Sequence, residues 1–340
     1  MIRIKASEQA EKISIIFGLI VLLVAVAIAW YQGLLADLYA DYPARLPLET
    51  HQTNERIKII AHRGDAKSAP ENTLESYRAA IAREIDYIEV DVRLTADGVP
   101  VAIHDATVDR TTDGEGRISD LSYAELQQLD AGSWFSSRFA GVTIPTLAEV
   151  LAEAQGKVCV FIDLKDRVNY QLIKTLKNYA QSSESGCLLV SIVMPSDYKR
   201  TFGEGQQQNA ELLARLEKIK WRRTQLYNQQ ISHFKRYWPE APLTVSYNEG
   251  KDLDVLLGEY PGVVAVLAPI YITREIVEKL HARGLYVYTR VSMNTETYSN
   301  ERLDVIYSQQ MESAIDFIFP AEPFGFAAFQ ETYLSEAPTD

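Results

Sequence analysis

The sequence predicts an α/β fold in which parallel strands and helices alternate along the chain. From residue 57 onward, short apolar runs rich in β-branched residues alternate with amphipathic helical runs. The composition, with 47% hydrophobic and 24% charged residues, is that of a globular protein and excludes disordered or collagen-like chains. A body of about 270 residues with this alternation is long enough to close into a TIM (β/α)8 barrel.

Nine runs have the apolar, β-rich character of strands. They cover residues 57–61, 86–92, 99–104, 157–163, 187–193, 242–246, 263–268, 285–290 and 315–319. Three helix starts carry pairs with the spacing of a capping box: Asn72 with Glu75, Ser122 with Glu125, and Thr146 with Glu149. Gly284 is expected to close a helix that begins near Thr273.

Nine runs are one more than the eight strands of a barrel. The segment between the second and third runs explains the additional strand. Residues 93–98 are too few for a parallel crossover, and Asp97-Gly98 is typical of a two-residue hairpin turn. We therefore expect residues 99–104 to return antiparallel to 86–92, as a β-hairpin insertion after strand 2. That loop length places Asp91 directly opposite His104.

The N-terminal region contains an uncharged, mostly apolar run at residues 13–30. Its length corresponds to roughly 27 Å of helix, enough to span a bilayer core, and Trp30-Tyr31 would lie at an interface. A cleaved signal peptide is the alternative, but the run lacks an Ala-x-Ala site. Basic residues precede the run at Arg3, Lys5 and Lys12. The positive-inside rule then places the N-terminus in the cytoplasm and the body outside it, in the periplasm if the host is bacterial.

These features predict five regions along the chain. They are a cytoplasmic N-terminus (1–12), a transmembrane anchor (13–31), a juxtamembrane stalk (32–56), the barrel (57–326) and a C-terminal tail (327–340). Within the barrel, residues 205–238 form a helical stretch longer than one barrel helix requires. One interpretation is a packed barrel helix with extra turns. The other is a lid or a membrane-facing element, which the basic cluster at 218–223 favours.

The charge and the cysteine count exclude some classes of function. With 34 basic and 46 acidic residues, the net charge is -12, which argues against nucleic acid as a partner because phosphate contacts need clustered cations. Two cysteines, Cys159 and Cys187, are too few for a disulfide framework or a thiolate metal site. We interpret them as two buried thiols, although one bridge between them stays open.

Charged side chains stand at the carboxyl ends of three predicted strands, where the active sites of barrels lie. They are His62 and Arg63 on the first, Glu89 and Asp91 on the second, and Asp163 and Lys165 on the fourth. Three inward carboxylates indicate a hard-cation site for Ca²⁺ or Mg²⁺, whereas a surface salt bridge is the alternative for any one acid. His62 and His104 can form an acid-base pair on a phosphoryl group. The other histidines, His51, His233 and His281, are interpreted as surface residues.

Several motifs occur in a fixed order along the body. They are HRG at 62–64, SAPENT at 68–73, EVDV at 89–92, DGVPVAIHD at 97–105 and Asp163-x-Lys165. In these motifs the chain resembles the glycerophosphodiester phosphodiesterase family. The resemblance implies a TIM barrel that hydrolyses a glycerol phosphodiester to sn-glycerol 3-phosphate and an alcohol, through attack by the substrate's own neighbouring hydroxyl.

The resemblance also implies roles for individual residues. His62 and His104 are the acid-base pair; Glu89, Asp91 and Asp163 hold the metal; Arg63 and Lys165 contact phosphate. Asn72, within SAPENT, is interpreted as a helix cap.

Three positions depart from the family pattern. Asp163 stands where Glu is usual, Tyr288-Thr289-Arg290-Val291 replaces Trp-Thr-Val-Asn, and residues 319–323 replace Thr-Asp-x-Pro. The first departure concerns the metal, and the other two lie in the substrate half of the site. Two alternatives stay open. One is lysophospholipase D or phospholipase C-like action on lipids, and the other is a catalytically silent, membrane-anchored binding module.

Overall fold

The structure is a computed structural model that describes residues 56–182, 187–192, 229–234, 236–239, 241–246, 263–291 and 299–336. The predicted N-terminus and anchor (1–31), the stalk up to residue 55 and most of the 205–238 stretch lie outside the described residues. Among the helices that are described, none combines the length and the apolar character that a membrane crossing requires.

Nine strands are present in this part of the chain. They are β1 (Lys58–Ala61), β2 (Tyr87–Leu94), β3 (Pro100–Ala102), β4 (Cys159–Leu164), β5 (Leu188–Ile192), β6 (Leu243–Ser246), β7 (Val263–Ala268), β8 (Tyr286–Arg290) and β9 (Phe317–Phe319). Each coincides with one of the nine predicted runs.

Helices separate most of these strands along the chain. They are α1 (Leu74–Ile81), α2 (Tyr123–Leu126), α3 (Leu147–Ala154), α4 (Tyr170–Ser182), α5 (Arg274–His281), α6 (Asn300–Ser313) and α7 (Pro323–Glu336). Residues 229–234 and 236–237 are also helical, and two short 3-10 turns lie at Ile118–Asp120 and Ser137–Phe139.

Eight strands form a closed parallel barrel. The order is β1-β9-β8-β7-β6-β5-β4-β2, and β1 pairs in parallel with β2 to complete the circle. The predicted TIM barrel is therefore confirmed. Because all eight strands run the same way, their carboxyl ends meet at one mouth, and this places the side chains of several distant segments together.

Strand alternation decides which side chains face the barrel interior. On β2, Ile88 and Val90 belong to the apolar core between sheet and helices. Tyr87, Glu89 and Asp91 therefore point into the barrel. The interior below the mouth is filled by aromatic rings in edge-to-face contact, among them Phe161, Tyr288 and Phe319.

The β2–β3 hairpin is present, but its predicted register is wrong by one residue. Val92 pairs with Ala102, and the Ile103 N–H donates to the Asp91 carbonyl oxygen at 2.9 Å. Asp91 therefore lies opposite Ile103 rather than His104. The physical reason is the turn, which spans three residues between Thr95 and Val99 and ends at Gly98 with φ +78°. A left-handed glycine closes this longer loop as readily as it completes a two-residue turn.

Two of the three predicted helix caps are confirmed and one is wrong. The Ser122 and Thr146 side chains accept hydrogen bonds from the backbone N–H groups of Glu125 and Glu149. Helix α1, however, is capped by Thr73, which forms a capping box with Ser76. The signal was ambiguous because Asn and Thr, both good caps, stand side by side at residues 72 and 73.

Helix α7 continues ten residues past the predicted end of the barrel at residue 326. Gln330 is buried in this helix, where its side chain accepts from the Ile57 N–H at 2.6 Å and donates to the Ile57 carbonyl at 3.3 Å. These bonds satisfy the main chain just before β1. Residues 327–336 therefore belong to the barrel rather than to a tail.

Cys159 and Cys187 form a disulfide, so the interpretation as two buried thiols is wrong. The pairing follows from strand register, because Val160 pairs with Leu188 and the two cysteines precede them on adjacent parallel strands. Their Cα atoms are 4.9 Å apart, within the normal range for a bridge. The disulfide thus joins β4 to β5 at the end opposite the mouth.

Replacing both cysteines (Cys159→Ser with Cys187→Ser) is expected to lower the free energy of unfolding by roughly 2–4 kcal/mol, because the bridge closes a loop in the unfolded chain. Urea denaturation of the full chain measures this loss. Reductant should destabilise the wild type and leave the double variant unchanged, and two titratable thiols in the native, unreduced protein would contradict the bridge.

Candidate active site

The seven sequence-predicted site residues all come from the mouth of the barrel or the hairpin beside it. They are His62, Arg63, Glu89, Asp91, His104, Asp163 and Lys165. Two follow β1, two lie on β2, and two stand at or just after the end of β4, while His104 follows β3. The barrel's parallel topology brings these segments together, as the sequence predicted.

Three acids form a compact cluster in this mouth. One carboxylate oxygen from each of Glu89, Asp91 and Asp163 lies within 4.8 Å of the others. The three residues are 0%, 0% and 2% exposed. Asp91 and Asp163 are register partners on neighbouring parallel strands, which is why their side chains project side by side.

Cations compensate the buried acids. The Lys165 Nζ lies 2.9 Å from the Asp91 Oδ1 and 2.7 Å from the Asp163 Oδ2. The Arg63 Nε lies 3.1 Å from the Asp91 Oδ2. Burial opposes the ionisation of Asp91, but the charges of Lys165 and Arg63 outweigh it and lower its pKa well below the usual value.

Glu89 is less well compensated than Asp91. Its Oε2 accepts the Arg63 backbone N–H at 2.8 Å, but burial and the neighbouring charge of Asp91 raise its pKa well above the usual value. A further positive charge in the cluster would therefore favour the ionised form of Glu89.

The cluster has the donor set for a divalent cation. Among the described residues, the Glu89 Oε1 and the Asp163 Oδ1 are buried without a hydrogen-bond partner, and the Asp91 Oδ1 is in contact with the Lys165 ammonium. Carboxylate oxygens are the ligands that hard divalent ions prefer. The residues present thus fit a metal ion, because Glu89 and Asp163 each offer an oxygen without a partner and Asp91 offers the oxygen that Lys165 contacts.

The β1–α1 loop holds Arg63 in an unusual backbone conformation. Arg63 has φ +59°, a left-handed geometry that non-glycine residues rarely adopt. Its carbonyl oxygen accepts from the Asn72 N–H and from the Ser76 hydroxyl. Gly64, at φ +80°, is required here because a Cβ would lie 2.5 Å from the Ser76 Oγ. The HRG motif is therefore a turn whose backbone conformation directs the Arg63 N–H towards Glu89.

Asn72 supports the metal cluster instead of capping α1. Its Nδ2 donates to the Asp91 Oδ2 at 2.8 Å, and its Oδ1 accepts from the Asp91 N–H at 3.2 Å. The buried Tyr77 hydroxyl donates to the same Oδ1 at 2.9 Å. Both ends of the Asn72 amide are thus fixed, and they hold the Asp91 carboxylate in one orientation.

His62 lies at the end of β1 and packs edge-on against Phe319, with ring centroids 6.3 Å apart. Burial, together with the charges of Arg63 and Arg290, lowers the pKa of His62 to about 3. The imidazole is therefore neutral near pH 7 and can accept a proton.

His104 lies in a more open position, with 35% of its side chain exposed. Its Nδ1 is 2.7 Å from the Asp105 Oδ1. Asp91 interacts electrostatically with both His104 and His62. Both histidines therefore lie near enough to Asp91 to interact with its charge, although the predicted strand pairing does not produce this arrangement.

Sequence reasoning missed three charged residues around these histidines: Glu71, Asp105 and Arg110. Arg110 bonds both Asp105 and Glu71, and Glu71 in turn accepts from Arg63. Burial raises the pKa of Glu71, but hydrogen bonds from Arg110 and the charge of Arg63 lower it overall. The signal was present in the motifs, because Glu71 lies in SAPENT and Asp105 directly follows His104.

Comparison with known proteins identifies the fold family. The model of the glycerophosphoryl diester phosphodiesterase family matches residues 62–306, which is more than half of the chain and includes every residue of the acid cluster. The chain belongs to this family.

Curated relatives match part of the chain. The chain is 46% identical over 128 residues to a glycerophosphodiester phosphodiesterase of Caldanaerobacter subterraneus, which covers 36% of this chain and 53% of that protein. It is 38% identical over 142 residues to glycerophosphodiester phosphodiesterase 1 of Bos taurus, and this alignment covers 41% of this chain and 43% of that protein. The match thus spans about half the length of these curated relatives.

Solved structures of the family share the barrel. A phosphodiesterase from Oleispira antarctica, solved in complex with the product sn-glycerol 3-phosphate, has a TM-score of 0.59 and 24% identity, over 81% of this chain and 96% of that one. This likeness shows the fold.

Two departures from the family pattern now have a structural description. Tyr288 is buried inside the barrel, where its hydroxyl lies 2.9 Å from the Thr244 Oγ1. Arg290 reaches the mouth: its guanidinium lies over the Phe319 ring, and its Nη2 is 3.8 Å from the Asp163 Oδ2. Among the residues that the structure describes, the buried Arg290 Nε has no hydrogen-bond partner. This family member therefore carries a third cation beside its acid cluster.

The neighbours Asn72 and Thr73 should have separable effects. Asn72→Ala removes the amide that orients Asp91 and is expected to weaken divalent-cation binding about 10–100-fold. Thr73→Ala removes the helix cap and is expected to cost about 1 kcal/mol of stability while leaving metal affinity near that of the wild type. Isothermal titration calorimetry with Ca²⁺ and Mg²⁺, beside urea denaturation, measures both quantities. Unchanged metal affinity in Asn72→Ala would contradict the role assigned to the amide.

Proposed function

We propose that the chain hydrolyses glycerophosphodiesters to sn-glycerol 3-phosphate and an alcohol. The observation that carries this proposal is the pair of histidines beside a buried, cation-balanced carboxylate cluster at the barrel mouth. Membership of the glycerophosphoryl diester phosphodiesterase family and the names of the curated relatives support the same reaction.

The two histidines divide the proton transfers. His62 is neutral because of burial and neighbouring cations, so it accepts the proton of the glycerol hydroxyl that attacks phosphorus. The attack forms a bond from that oxygen to phosphorus and releases the alcohol, to which His104 donates a proton. Water then opens the cyclic phosphate, with the two proton transfers reversed, and leaves sn-glycerol 3-phosphate.

The cations of the site bind the phosphoryl oxygens. Lys165 and Arg63 are held by Asp91 at 2.9 and 3.1 Å, so their positions are fixed before substrate arrives. Fixed positive groups of this kind stabilise the negative charge that develops on the phosphoryl group in the transition state.

Glu89, Asp91 and Asp163 are the residues that would hold Ca²⁺ or Mg²⁺. Such an ion, when bound, supplies positive charge for the phosphoryl oxygens and for the attacking hydroxyl. The raised pKa of Glu89 would then return towards its ordinary range.

The histidine variants His62→Ala and His104→Ala should each lose roughly 10²–10⁴-fold in kcat, because each removes one acid-base partner. The double variant should lose far less than the product of the two effects, since both groups serve one transition state. Turnover of glycerophosphocholine by the full chain, with and without chelator, measures these losses. A lysolipid in the same panel tests the alternative action on lipids.

His233→Ala is the matched control. Among the described residues, the hydrogen bond of this histidine is to the Gln229 carbonyl oxygen of its own helix, so the variant should retain wild-type turnover. Near wild-type turnover in His62→Ala, or full activity with chelator present, would contradict the proposed mechanism.

We further propose that residues 13–31 anchor the chain in a membrane, with the body outside the cytoplasm. The apolar run, the preceding basic residues and the Cys159–Cys187 disulfide support this location, because disulfides persist mainly in oxidising compartments. Protease added to intact cells or spheroplasts should digest the body while a cytosolic marker survives. Full protection until lysis would overturn the orientation.

A further inference from the structure

We propose that Asp105 and Arg110 are positioning residues for His104: Asp105 sets which nitrogen of the neutral His104 ring carries the proton, and Arg110 orients the Asp105 carboxylate. The inference rests on the proposed function of His104 as a proton donor. It extends the active site beyond the seven residues that the sequence indicated, to a charged chain along the outer rim of the mouth.

Asp105 contacts His104 directly. The Asp105 Oδ1 lies 2.7 Å from the His104 Nδ1. An ionised carboxylate has acceptors only, so the Nδ1 must carry the hydrogen of this bond. The other ring nitrogen, Nε2, is then the one available to exchange a proton with substrate.

Arg110 fixes the Asp105 carboxylate in place. The Arg110 Nε donates to the Asp105 Oδ2 at 2.6 Å, and this hydrogen bond is the main reason that the pKa of Asp105 falls to about 2. Each Asp105 oxygen therefore has its own partner: Arg110 for one and His104 for the other.

The chain continues from Arg110 to the metal cluster. Two Arg110 nitrogens donate to the two Glu71 oxygens at 2.7 and 3.0 Å, and the Arg63 Nη1 donates to the Glu71 Oε1 at 2.8 Å. Arg63 in turn lies 3.1 Å from Asp91. Alternating charges thus connect His104 to the cluster without a break.

The local fold of this segment does not depend on the charged chain. The backbone N–H of Val108 donates to the Gly116 carbonyl, that of Ile118 donates to Ala106, and Thr107 pairs with Arg117 as a bridge. The His104 carbonyl is separately held by the Arg93 Nε at 2.8 Å. Main-chain bonds therefore fix the segment, and the Asp105 side chain is left to fix the imidazole.

Asp105→Asn tests the inference because the amide offers only one acceptor. Arg110 is always protonated and takes the Asn oxygen, so the amide NH₂ faces the His104 Nδ1 and moves the ring proton to Nε2. We expect kcat on glycerophosphocholine to fall about 10²-fold, the size of a general acid-base contribution, with KM changed less than about threefold.

Long-range ¹H–¹⁵N spectra of the ¹⁵N-histidine-labelled full chain, metal-free, give a second readout that does not require turnover. The protein has five histidines, and His104→Gln assigns the signal of interest. At a pH at which the ring is neutral, we expect the Nδ1–H form in the wild type and the Nε2–H form in Asp105→Asn, whereas the protonated donor carries hydrogen on both nitrogens. Arg110→Gln should keep the Nδ1–H form and lose about tenfold in kcat, because the carboxylate remains but is no longer oriented.

Asp109→Asn is the matched control. Asp109 lies in the same segment, and within the described part of the chain its carboxylate accepts the Gly116 N–H and makes no bond to His104, so kcat and the His104 signal should stay those of the wild type. Unchanged kcat in Asp105→Asn, or lost kcat with an unchanged His104 tautomer, would overturn the inference. If the wild type fails to cleave glycerophosphodiesters, the proposed function is contradicted. The change of His104 tautomer in Asp105→Asn tests the positioning role of Asp105 independently of that result.

Discussion

The site depends on one electrostatic constraint, the burial of three carboxylates beside one another at the barrel mouth. Burial and mutual repulsion both oppose ionisation, and the raised pKa of Glu89 shows that compensation is incomplete. Cations from three separate elements approach the acids: Arg63 after β1, Lys165 after β4 and Arg290 at the end of β8. The segments around the mouth are therefore held together by charge, while aromatic packing fills the interior below.

The same constraint accounts for the strained loop after β1. Arg63 and Asn72 both adopt left-handed backbone conformations, at a cost of roughly 1–2 kcal/mol each. Both residues donate hydrogen bonds to the acids: the Arg63 N–H donates to Glu89, and the Asn72 amide donates to Asp91. The hydrogen bonds that satisfy otherwise orphaned carboxylate oxygens offset the strain, so the loop geometry and the acid cluster stabilise each other.

Features that depend on the periodicity of the sequence were predicted correctly. Features that depend on one local contact, such as a turn, a helix cap or a disulfide, were not. All nine strands and the closed barrel follow from the alternation of apolar runs with helical runs along the chain. The approach of Glu89, Asp91 and Asp163 follows from the alternation of side chains along β2 and β4. The hairpin register was off by one because Gly98 serves two loop lengths equally well. The cap was misassigned between residues 72 and 73 because both side chains can cap a helix. The disulfide required the β4–β5 register, which composition does not contain.

The misjudged register changes what positions the second histidine. Had Asp91 been paired with His104, sheet hydrogen bonding alone would have placed the imidazole beside the acid cluster. Instead His104 lies beyond the end of β3, with its carbonyl held by Arg93 and its ring by Asp105. His62 is fixed by burial at the end of a barrel strand, whereas His104 is fixed by charged side chains of the hairpin segment. The two members of the proposed acid-base pair thus rest on different physical supports, which are burial for His62 and the Asp105 carboxylate for His104.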